Sequence, residues 1–546
     1  VVDAIVIGSG PNGLVAANVL ADRGWEVMVF EAQPEAGGAV RSDRGVDPAF
    51  VNDLFSSFHP LAVASPAIRA LELERFGLRW SRAPIVLAHP LIDGRCPVLH
   101  QGFTETAVGI ERDSGTHDAE AWSRLSALWR RLDPHLVDAM FTPFPPVKAA
   151  LAMARKLRGA GGLRAARFLA LPVRRLAEEE FIGAGPGLLL AGCALHADLL
   201  PESTASSAFG WLMAMLGQQY GWPAPVGGAG ALTAALVRRL ESLGGSVHCG
   251  TRVEQVVVRD GKAAGVRTAD GEFHAASQAV LADVAVTSLY GNLISWDELP
   301  ARARADVRRF QWDFSTFKVD WALNGPIPWT APAAASAGTV HLAADMNELS
   351  DYALQVSSHR LPVHPFALLG QMTTTDPSRS PAGTESAWAY THVPQRIDAD
   401  LGADTGPGTA AVTGRWDARE AEAMADRLEY QVERFAPGFR DRIAARRILT
   451  PADLESLDEN LVGGALNGGT TAVHQQLFFR PVPGSGRPET PIQNLYLASA
   501  AAHPGGGVHG ACGANAARAA LRARTGIASR ALTGTQRRLS WRPEKT

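Results

Sequence analysis

The sequence predicts an α/β fold in two lobes, one of them a parallel-sheet domain assembled from separated pieces. Three observations predict it: a glycine-punctuated strand, helix and strand at the start, a second glycine-led helix with strands in the middle, and a strand, triple glycine and alanine-rich helix near the end. At 546 residues the chain exceeds the size at which one core stops growing. Hydrophobic residues at 46% and charged residues at 20% supply an ordinary globular core. The formal net charge of -3, with no zinc-finger or RNA-binding signature, argues against nucleic acid as a partner.

The first element is the apolar run Ala4 to Ile7, suited to a strand buried on both faces. Gly8, Gly10 and Gly13 follow as G-x-G-x-x-G, with Pro11 and Asn12 between them, and Leu14, Ala17, Leu20 and Ala21 then recur at helical spacing. Gly24 closes the helix, and Val27 to Phe30 forms a second strand ending at Glu31 and Ala32. Gly8 allows the sharp exit from the strand, Gly10 admits a pyrophosphate without a Cβ in the way, and Gly13 lets the helix pack closely. A diphosphate would sit at the helix N-terminus, where unpaired N–H groups and the dipole favour negative charge. Glu31 lies 18 residues beyond Gly13, where its carboxylate can accept ribose hydroxyls and repel a 2′-phosphate. A lone glycine motif is weak evidence, but here strand, glycines, helix, strand and acid fall in the required order. The ligand is FAD or NAD, and not NADP.

The next stretch, "AQPEAGGAVRS", brings Gly37 and Gly38 and then Arg41. A second close approach of backbone to an anion, with a guanidinium beside it, suits a ligand longer than one nucleotide. This stretch resembles the E-x(5)-G-G segment of the flavoprotein superfamily that includes amine oxidases and carotene desaturases, which makes FAD the favoured cofactor. Mid-chain, Gly227, Gly228 and Gly230 precede an amphipathic helix, and strands alternate around Asp260-Gly261 and Asp270-Gly271 turns before "AVLAD" returns the chain to the sheet. At the end, "NLYLASA" reads as a parallel strand and Gly505 to Gly513 opens a helix. No second strand with an acidic end follows, so Gly506, Gly507 and Val508 are read as a helix N-terminus aimed at a flavin's pyrimidine edge.

"GSGPNGLVAANVLADRGWEVMVFEAQPEAGGAVRS" together with "LYLASAAAHPGGGVHGACGANAARAAL" resembles the phytoene dehydrogenase-like FAD oxidoreductases, in the bacterial branch akin to the animal pyridine nucleotide-disulfide oxidoreductase domain protein 2. The resemblance extends to about Arg524 and implies a Rossmann-type FAD-binding domain with a mixed α+β substrate lobe that has a helical subregion. It also implies main-chain contacts from Val253 to the adenine; the alternative is a hairpin that touches no ligand. Where many relatives in the wider superfamily place an acidic residue after the final strand, this chain has Ser499 and Ala500, so hydroxyl or backbone contacts to the ribityl chain are expected there. The FAD-binding domain is expected from residues 1–80, 222–290 and 455–525, the substrate lobe from a helical stretch at 81–221 and a mixed segment at 291–454, and residues 526–546, with Arg537, Arg538, Arg542 and Lys545, form a polar tail.

Within the substrate lobe, residues 147–175 carry eight basic residues, Lys148, Arg155, Lys156, Arg158, Arg164, Arg167, Arg174 and Arg175, interleaved with apolar ones such as Leu151, Leu163 and Phe168. Such a stretch is a solvated helical face, an oligomer contact or a peripheral membrane contact that admits a lipophilic substrate. His59, His503 and His509 are the candidate catalytic residues, either as proton donors and orienting groups over the flavin or as supports of the glycine loop. No metal is expected, for want of any ligand spacing. Cys96, Cys193, Cys249 and Cys512 stand far apart, as thiols of a reducing cytoplasm do. The apolar start is too short for a signal peptide, and no run of about 18 apolar residues exists.

With one complete dinucleotide motif and no C-x-x-C, electrons would leave reduced flavin to oxygen, a quinone or another diffusible acceptor. The resemblance then implies hydride transfer between a carbon of a hydrophobic, polyene or isoprenoid substrate and flavin N5. The alternatives are an alkene reductase, reductive cyclase or isomerase, an amine or alcohol oxidase, and a flavin-binding assembly protein of low turnover.

Overall fold

A computed structural model describes residues 1–133, 135–158, 162–403 and 410–524. Strand Val2–Ile7 is buried along nearly its whole length, as its apolar run requires. It pairs in parallel with Val27–Phe30 on one side and with Phe273–Ala282 on the other, so that Ile7 lies opposite both Phe30 and Ala282. Leu495–Leu497 joins the far side of Phe273–Ala282, with Leu497 opposite Ala282. Ser246–His248 extends the sheet beyond Val27–Phe30. A hairpin, Val253–Arg259 and Lys262–Thr268, pairs antiparallel with the start of Phe273–Ala282. Its Asp260-Gly261 turn has both residues at positive φ, the conformation a two-residue hairpin demands.

This register has a consequence for function. Four parallel strands end on one line, so the residues that follow them, Gly8, Glu31, Asp283 and Ala498, leave the sheet along a single edge. Open α/β sheets bind ligands at that edge. One face of the sheet is covered by helices Pro11–Ala21 and Ala511–Arg524, which meet through Ala16, Ala17, Ala516 and Ala520. Small side chains there let the first and last helices of the described chain approach closely.

A second sheet runs in the order Ile443–Leu449, Ser315–Leu323, Glu385–Val393, Ala367–Gln371, Ala337–Leu342, Ile85–Ala88, Val98–Leu99. Its outer face packs under helix Ala418–Glu433, where Met424, Leu428 and Val432 meet Phe317, Val319 and Trp321. Its inner face turns toward a helical layer built on Trp122, Trp129, Leu189 and Trp211. The sequence predicts a helical stretch from residue 81; instead, Ile85–Ala88 and Val98–Leu99 are strands and the helices of this stretch start at Phe103. A four-residue apolar run cannot declare itself a strand without its partner, and that partner, Ala337–Leu342, lies far along the chain.

The basic stretch folds into helices Val147–Arg158, Gly162–Ala170 and Val173–Glu180. Three of its cations are engaged: Arg167 donates twice to Glu179, Arg175 reaches Glu178 and Glu179, and Arg174 binds Glu202 and Ser350. Lys148, Arg155, Lys156 and Arg164 are exposed, and so are Val147, Leu151 and Leu163, the last of them 90% exposed. The side chain of Arg158 and the tail with Arg537, Arg538, Arg542 and Lys545 lie outside the described residues. All four cysteines are free thiols. Among the described residues no helix is long and apolar enough to cross a membrane.

Candidate active site

The glycines of the first turn close around one side chain that the sequence alone marks only as part of a return to the sheet. Asp283, the first residue after strand Phe273–Ala282, accepts a 2.7 Å hydrogen bond from Gly13 N through Oδ2. A Cβ at Gly10 would stand 2.8 Å from the same oxygen, and one at Gly8, where φ is +90°, 2.6 Å from the Asp283 carbonyl oxygen. Gly37 N donates to the Ser9 carbonyl at 3.1 Å, and a Cβ at Gly38 would lie 3.1 Å from Gly10 Cα. The two glycine turns therefore touch, backbone on backbone, at the N-terminus of helix Pro11–Ala21.

Glu31 is buried and preorganised. Its Oε2 accepts from Ser9 N and Ser9 Oγ at 2.9 and 2.7 Å, and its Oε1 from Gln33 N at 2.8 Å. Thr251 N donates to the Glu31 carbonyl, which brings the start of the Val253 strand beside it, past half-buried Ala32. Arg41, expected to face an anion, donates instead to the Gly38 and Leu457 carbonyls at 2.9 and 2.6 Å, and its guanidinium lies 5.4 Å from the Phe55 ring centroid. Asp458 lies close by; burial pushes its carboxyl up to about 6. Asn12, inside the first turn, keeps a buried Oδ1 without a protein partner.

The C-terminal glycines meet this cradle from the other side. A Cβ at Gly510 would stand 2.6 Å from Val15 Cγ2, and one at Gly513 2.6 Å from the Asn12 carbonyl carbon and nearer still to its oxygen. Gly506 lies against the Asn467 backbone and Gly507 against Leu61, each leaving only 2.7 Å for a Cβ, while Val508 packs beside the core of Leu14 and Val40. Ser499 Oγ accepts from Ala501 N, and the Ala500 carbonyl accepts from Arg480 at 2.8 Å. Arg480, fully buried, also donates to the carbonyls of Asn467, Gly468 and Thr470, and burial pulls its guanidinium down to about 10. It clamps the loop 467–470 to the final turn. Both ends of the described chain thus converge on one strand edge, with bare backbone and helix termini turned inward. These residues fit FAD: the Gly10, Gly13 and Gly38 cradle has no room for side chains, Glu31 closes the second strand with an oriented carboxylate, and Asn12 offers an unused polar atom.

The three candidate histidines are all neutral at physiological pH, each pushed down to about 4 by burial. His509 is fully employed: its Nδ1 accepts from Ala511 N at 3.0 Å and its Nε2 donates to the Gly505 carbonyl at 3.2 Å, which fixes the glycine loop to the start of the last helix. His503 donates from Nε2 to the Thr142 carbonyl and keeps an unpartnered Nδ1. His59 meets Ser56 Oγ at 3.2 Å and likewise keeps an unpartnered Nδ1. As imidazolium donors they do not serve; as neutral orienting groups, His59 and His503 each have a free ring nitrogen.

Sequence reasoning missed the substrate-side polar groups. Along Glu385–Val393, Ser386, Trp388, Tyr390 and His392 share the inner face while Ala387, Ala389 and Val393 pack outward. The rings of Trp388 and Tyr390 stack at 5.9 Å, and Phe58 lies 6.1 Å from Trp388. His341 meets His196 nitrogen to nitrogen at 2.8 Å, both neutral through burial. Buried atoms without protein partners gather in this region: Trp388 Nε1, Trp222 Nε1, Thr339 Oγ1, Thr316 Oγ1 and the Nδ1 atoms of His341 and His392. Such groups are costly to bury unless something else meets them. Beside them, Asp198 and Asp313 form a carboxylate pair. Asp313 accepts from Asn467 N and Gly469 N at 2.7 and 3.0 Å, and the Asn467 side chain donates to Asp198 at 3.3 Å. Burial and the neighbouring Asp313 drive the Asp198 carboxyl well upward, so the pair holds a proton between its members. The two-residue alternation in "SAWAYTHV" was a readable signal for the wall; nothing in the sequence announced the pair.

The convergence of glycine turns on one strand edge agrees with known proteins. Residues 12–304 match the family described as flavin containing amine oxidoreductase. The pyridine nucleotide-disulfide oxidoreductase domain-containing protein 2 of Mus musculus is 29% identical over 95% of this chain and 93% of its own. A lycopene-forming phytoene desaturase of Pseudescherichia vulneris is 30% identical over 58% of this chain and 59% of its own. Among solved structures, wild-type putrescine oxidase bound to putrescine superposes with a TM-score of 0.59 at 16% identity, covering 96% of this chain and 99% of that one, which shows a shared fold. That family match, over more than half of the chain, makes this chain a member of the flavin containing amine oxidoreductase family, an FAD-dependent oxidoreductase.

Proposed function

We propose that this oxidoreductase moves a hydride between a carbon centre of a neutral, hydrophobic isoprenoid or alkenyl substrate and FAD, as a desaturase-like enzyme. One observation carries the reading: the inner wall of the second sheet is lined by aromatic rings and neutral histidines, with its Lys and Arg side chains paired. Trp388, Tyr390 and Phe58 line it, its histidines are neutral, and its nearby ions are closed, Lys318 on Asp320 and Arg379 on Asp53 and Asp376. A protonated amine would have to give up its hydration against these rings, whereas a neutral hydrocarbon gives up none. The phytoene desaturase among the relatives supports the same choice.

When bound, FAD supplies the redox chemistry. The chain's own part is to hold the cofactor with amides, exclude water with aromatic side chains, and manage one proton. Forming a C=C bond releases a proton from the carbon beside the one that loses hydride; the Asp198–Asp313 pair, one Asn467 away from the Gly506 turn, can take it or return it in the reverse direction. The single dinucleotide cradle supports a diffusible acceptor such as oxygen or a quinone. Anaerobic mixing of the FAD-loaded protein with isoprenoid hydrocarbons is the test. Bleaching of the flavin absorbance supports the reading, bleaching by amines alone overturns it, and bleaching by NAD(P)H points to the reductive direction.

The face carrying exposed Leu163, Leu151 and Val147 with Lys148, Arg155, Lys156 and Arg164 supports peripheral docking on an anionic bilayer, which would deliver such a substrate. Flotation with anionic vesicles, lost on Arg155→Glu with Arg164→Glu, is the expected result; unchanged flotation excludes it.

A further inference from the structure

We infer that Asp283 is a functional residue of the FAD site and that the cofactor-loaded enzyme carries a proton on it. The inference stands apart from the choice of substrate. Asp283 leaves the sheet at the carboxyl edge, and Asn460 holds it there, donating from Nδ2 to the Asp283 carbonyl at 3.0 Å while accepting from Ala285 N at 2.7 Å. Its Oδ2 takes the Gly13 N–H at 2.7 Å, one of the donors that a helix N-terminus offers a diphosphate. A Cβ at Gly10 would press on that same oxygen at 2.8 Å, so glycine there leaves the Asp283 carboxyl its place.

Two further carboxyl groups act on Asp283. Glu31 faces Asp283 from the end of the second strand, and Asp458 from the end of helix Pro451–Leu457. Arg41 acts on Asp458, yet its donors go to the Gly38 and Leu457 carbonyls. Cys512, at the start of the last helix, is an uncharged thiol that burial pushes up to about 12. An ionised Asp283 would thus add a further buried negative charge beside the helix N-terminus where a dianionic diphosphate would bind, which like-charge repulsion opposes. As the neutral acid it keeps Oδ2 as acceptor for Gly13 and carries the proton on Oδ1 as a donor.

Burial, with Asp458 and Glu31 beside it and against the Gly13 hydrogen bond, already pushes the Asp283 carboxyl up to about 8 in the cofactor-free chain. The added phosphate charges push it higher. The protonated form therefore binds FAD more tightly. Affinity is flat below about pH 8 and falls above it, about tenfold per pH unit at full coupling, until the bound form also titrates.

The test is equilibrium release of FAD from the diluted holoenzyme, read by the fluorescence of free flavin at constant ionic strength, from pH 6 to a pH below ionisation of the flavin itself. The wild type is expected to hold FAD evenly to about pH 8 and to release it progressively above. Asp283→Asn, which keeps the acceptor and removes the titration, is expected to hold it evenly throughout. A flat wild-type profile overturns the inference whether or not the variant folds, and so does an alkaline release that persists unchanged in Asp283→Asn. Failure to bind FAD at any pH overturns it together with the cofactor, whereas a flat profile with tight binding leaves the cofactor standing.

Discussion

Replacing Gly513 by alanine tests whether both ends of the chain grip one cofactor. The added methyl would sit 2.6 Å from the Asn12 carbonyl carbon, where carbon atoms in contact stand about 3.5–4.0 Å apart, so the last helix must retreat from the first by about 1 Å. Neither obstacle is a side chain that can swing away; both belong to the backbone of the first turn. Overpacking of this kind costs about 1–3 kcal/mol, and the rigid partner argues for the upper end. Denaturant unfolding of the FAD-loaded protein should show that loss, and the variant should release FAD at dilutions where the wild type retains it. Gly109 is the control. It lies inside helix Phe103–Ser114 with nothing within 4 Å of an added Cβ, so Gly109→Ala should stabilise by about 0.5–1 kcal/mol and leave FAD untouched. A Gly513→Ala protein with wild-type stability and full FAD retention would refute the close packing of the two helices.

Arg480→Met strips the donors from the Asn467, Gly468, Thr470 and Ala500 carbonyls; with about 1–3 kcal/mol for each buried group left unsatisfied and relief from burying the cation, a net loss of about 3 kcal/mol is expected in denaturant unfolding, with Arg480→Lys intermediate. Arg379→Met leaves Asp53 and Asp376 buried without their partner, formerly at 3.0 and 3.1 Å, and should cost about 3–5 kcal/mol; a smaller loss than Arg480→Met would reverse this ranking. Stability should peak near pH 6.5 to 7. Below it, unfolded histidines bind protons that buried His59, His89, His196, His341, His392, His503 and His509 refuse, at up to about 1.4 kcal/mol per imidazole per pH unit, outweighing the fewer raised carboxyls. Above it, the native chain still holds protons on Glu385 and Asp283, at about 7 and 8, that the unfolded chain has lost, so stability falls until they titrate; a thermal midpoint constant from pH 5 to 8 would refute both halves.

What the sequence made legible was local. Gly8, Gly10, Gly13 and Glu31 sit within one strand, helix and strand, where spacing alone dictates geometry, and the C-terminal turn repeated the same glycine logic. Asp283, by contrast, meets this turn from far along the chain, and the Gly13 to Asp283 hydrogen bond spans 270 residues. No pattern within a window reports such a partner. The same holds for Asp198 and Asp313, which meet only because the loop at Asn467 folds between them. The alternation along Glu385–Val393 declared two faces, but which one is interior depends on helix Ala418–Glu433 covering Ala387 and Ala389. Histidines could be singled out by position, yet their protonation follows from burial, which a sequence does not print.

The distribution of buried charge shows how this chain must bind its cofactor. Arg379, Arg427 and Lys318 each meet a carboxylate, whereas Arg480 meets backbone carbonyls, with Asp313 acting on it from farther off. At the first turn the balance is opposite: Glu31, Asp283 and Asp458 crowd the strand edge, and Arg41 spends itself on carbonyls. A dianionic diphosphate entering there gains little from side-chain cations, so its hold must come from main-chain N–H groups and the end of helix Pro11–Ala21, in a turn where glycine leaves the backbone uncovered. Buried dipoles are screened far less than surface charges. Retention of FAD should therefore change by less than about threefold between low salt and 1 M sodium chloride, where screening shortens to about 3 Å. A loss of ten-fold or more on the same titration would mean that lysine and arginine side chains carry the phosphate, and the main-chain grip would have to be abandoned.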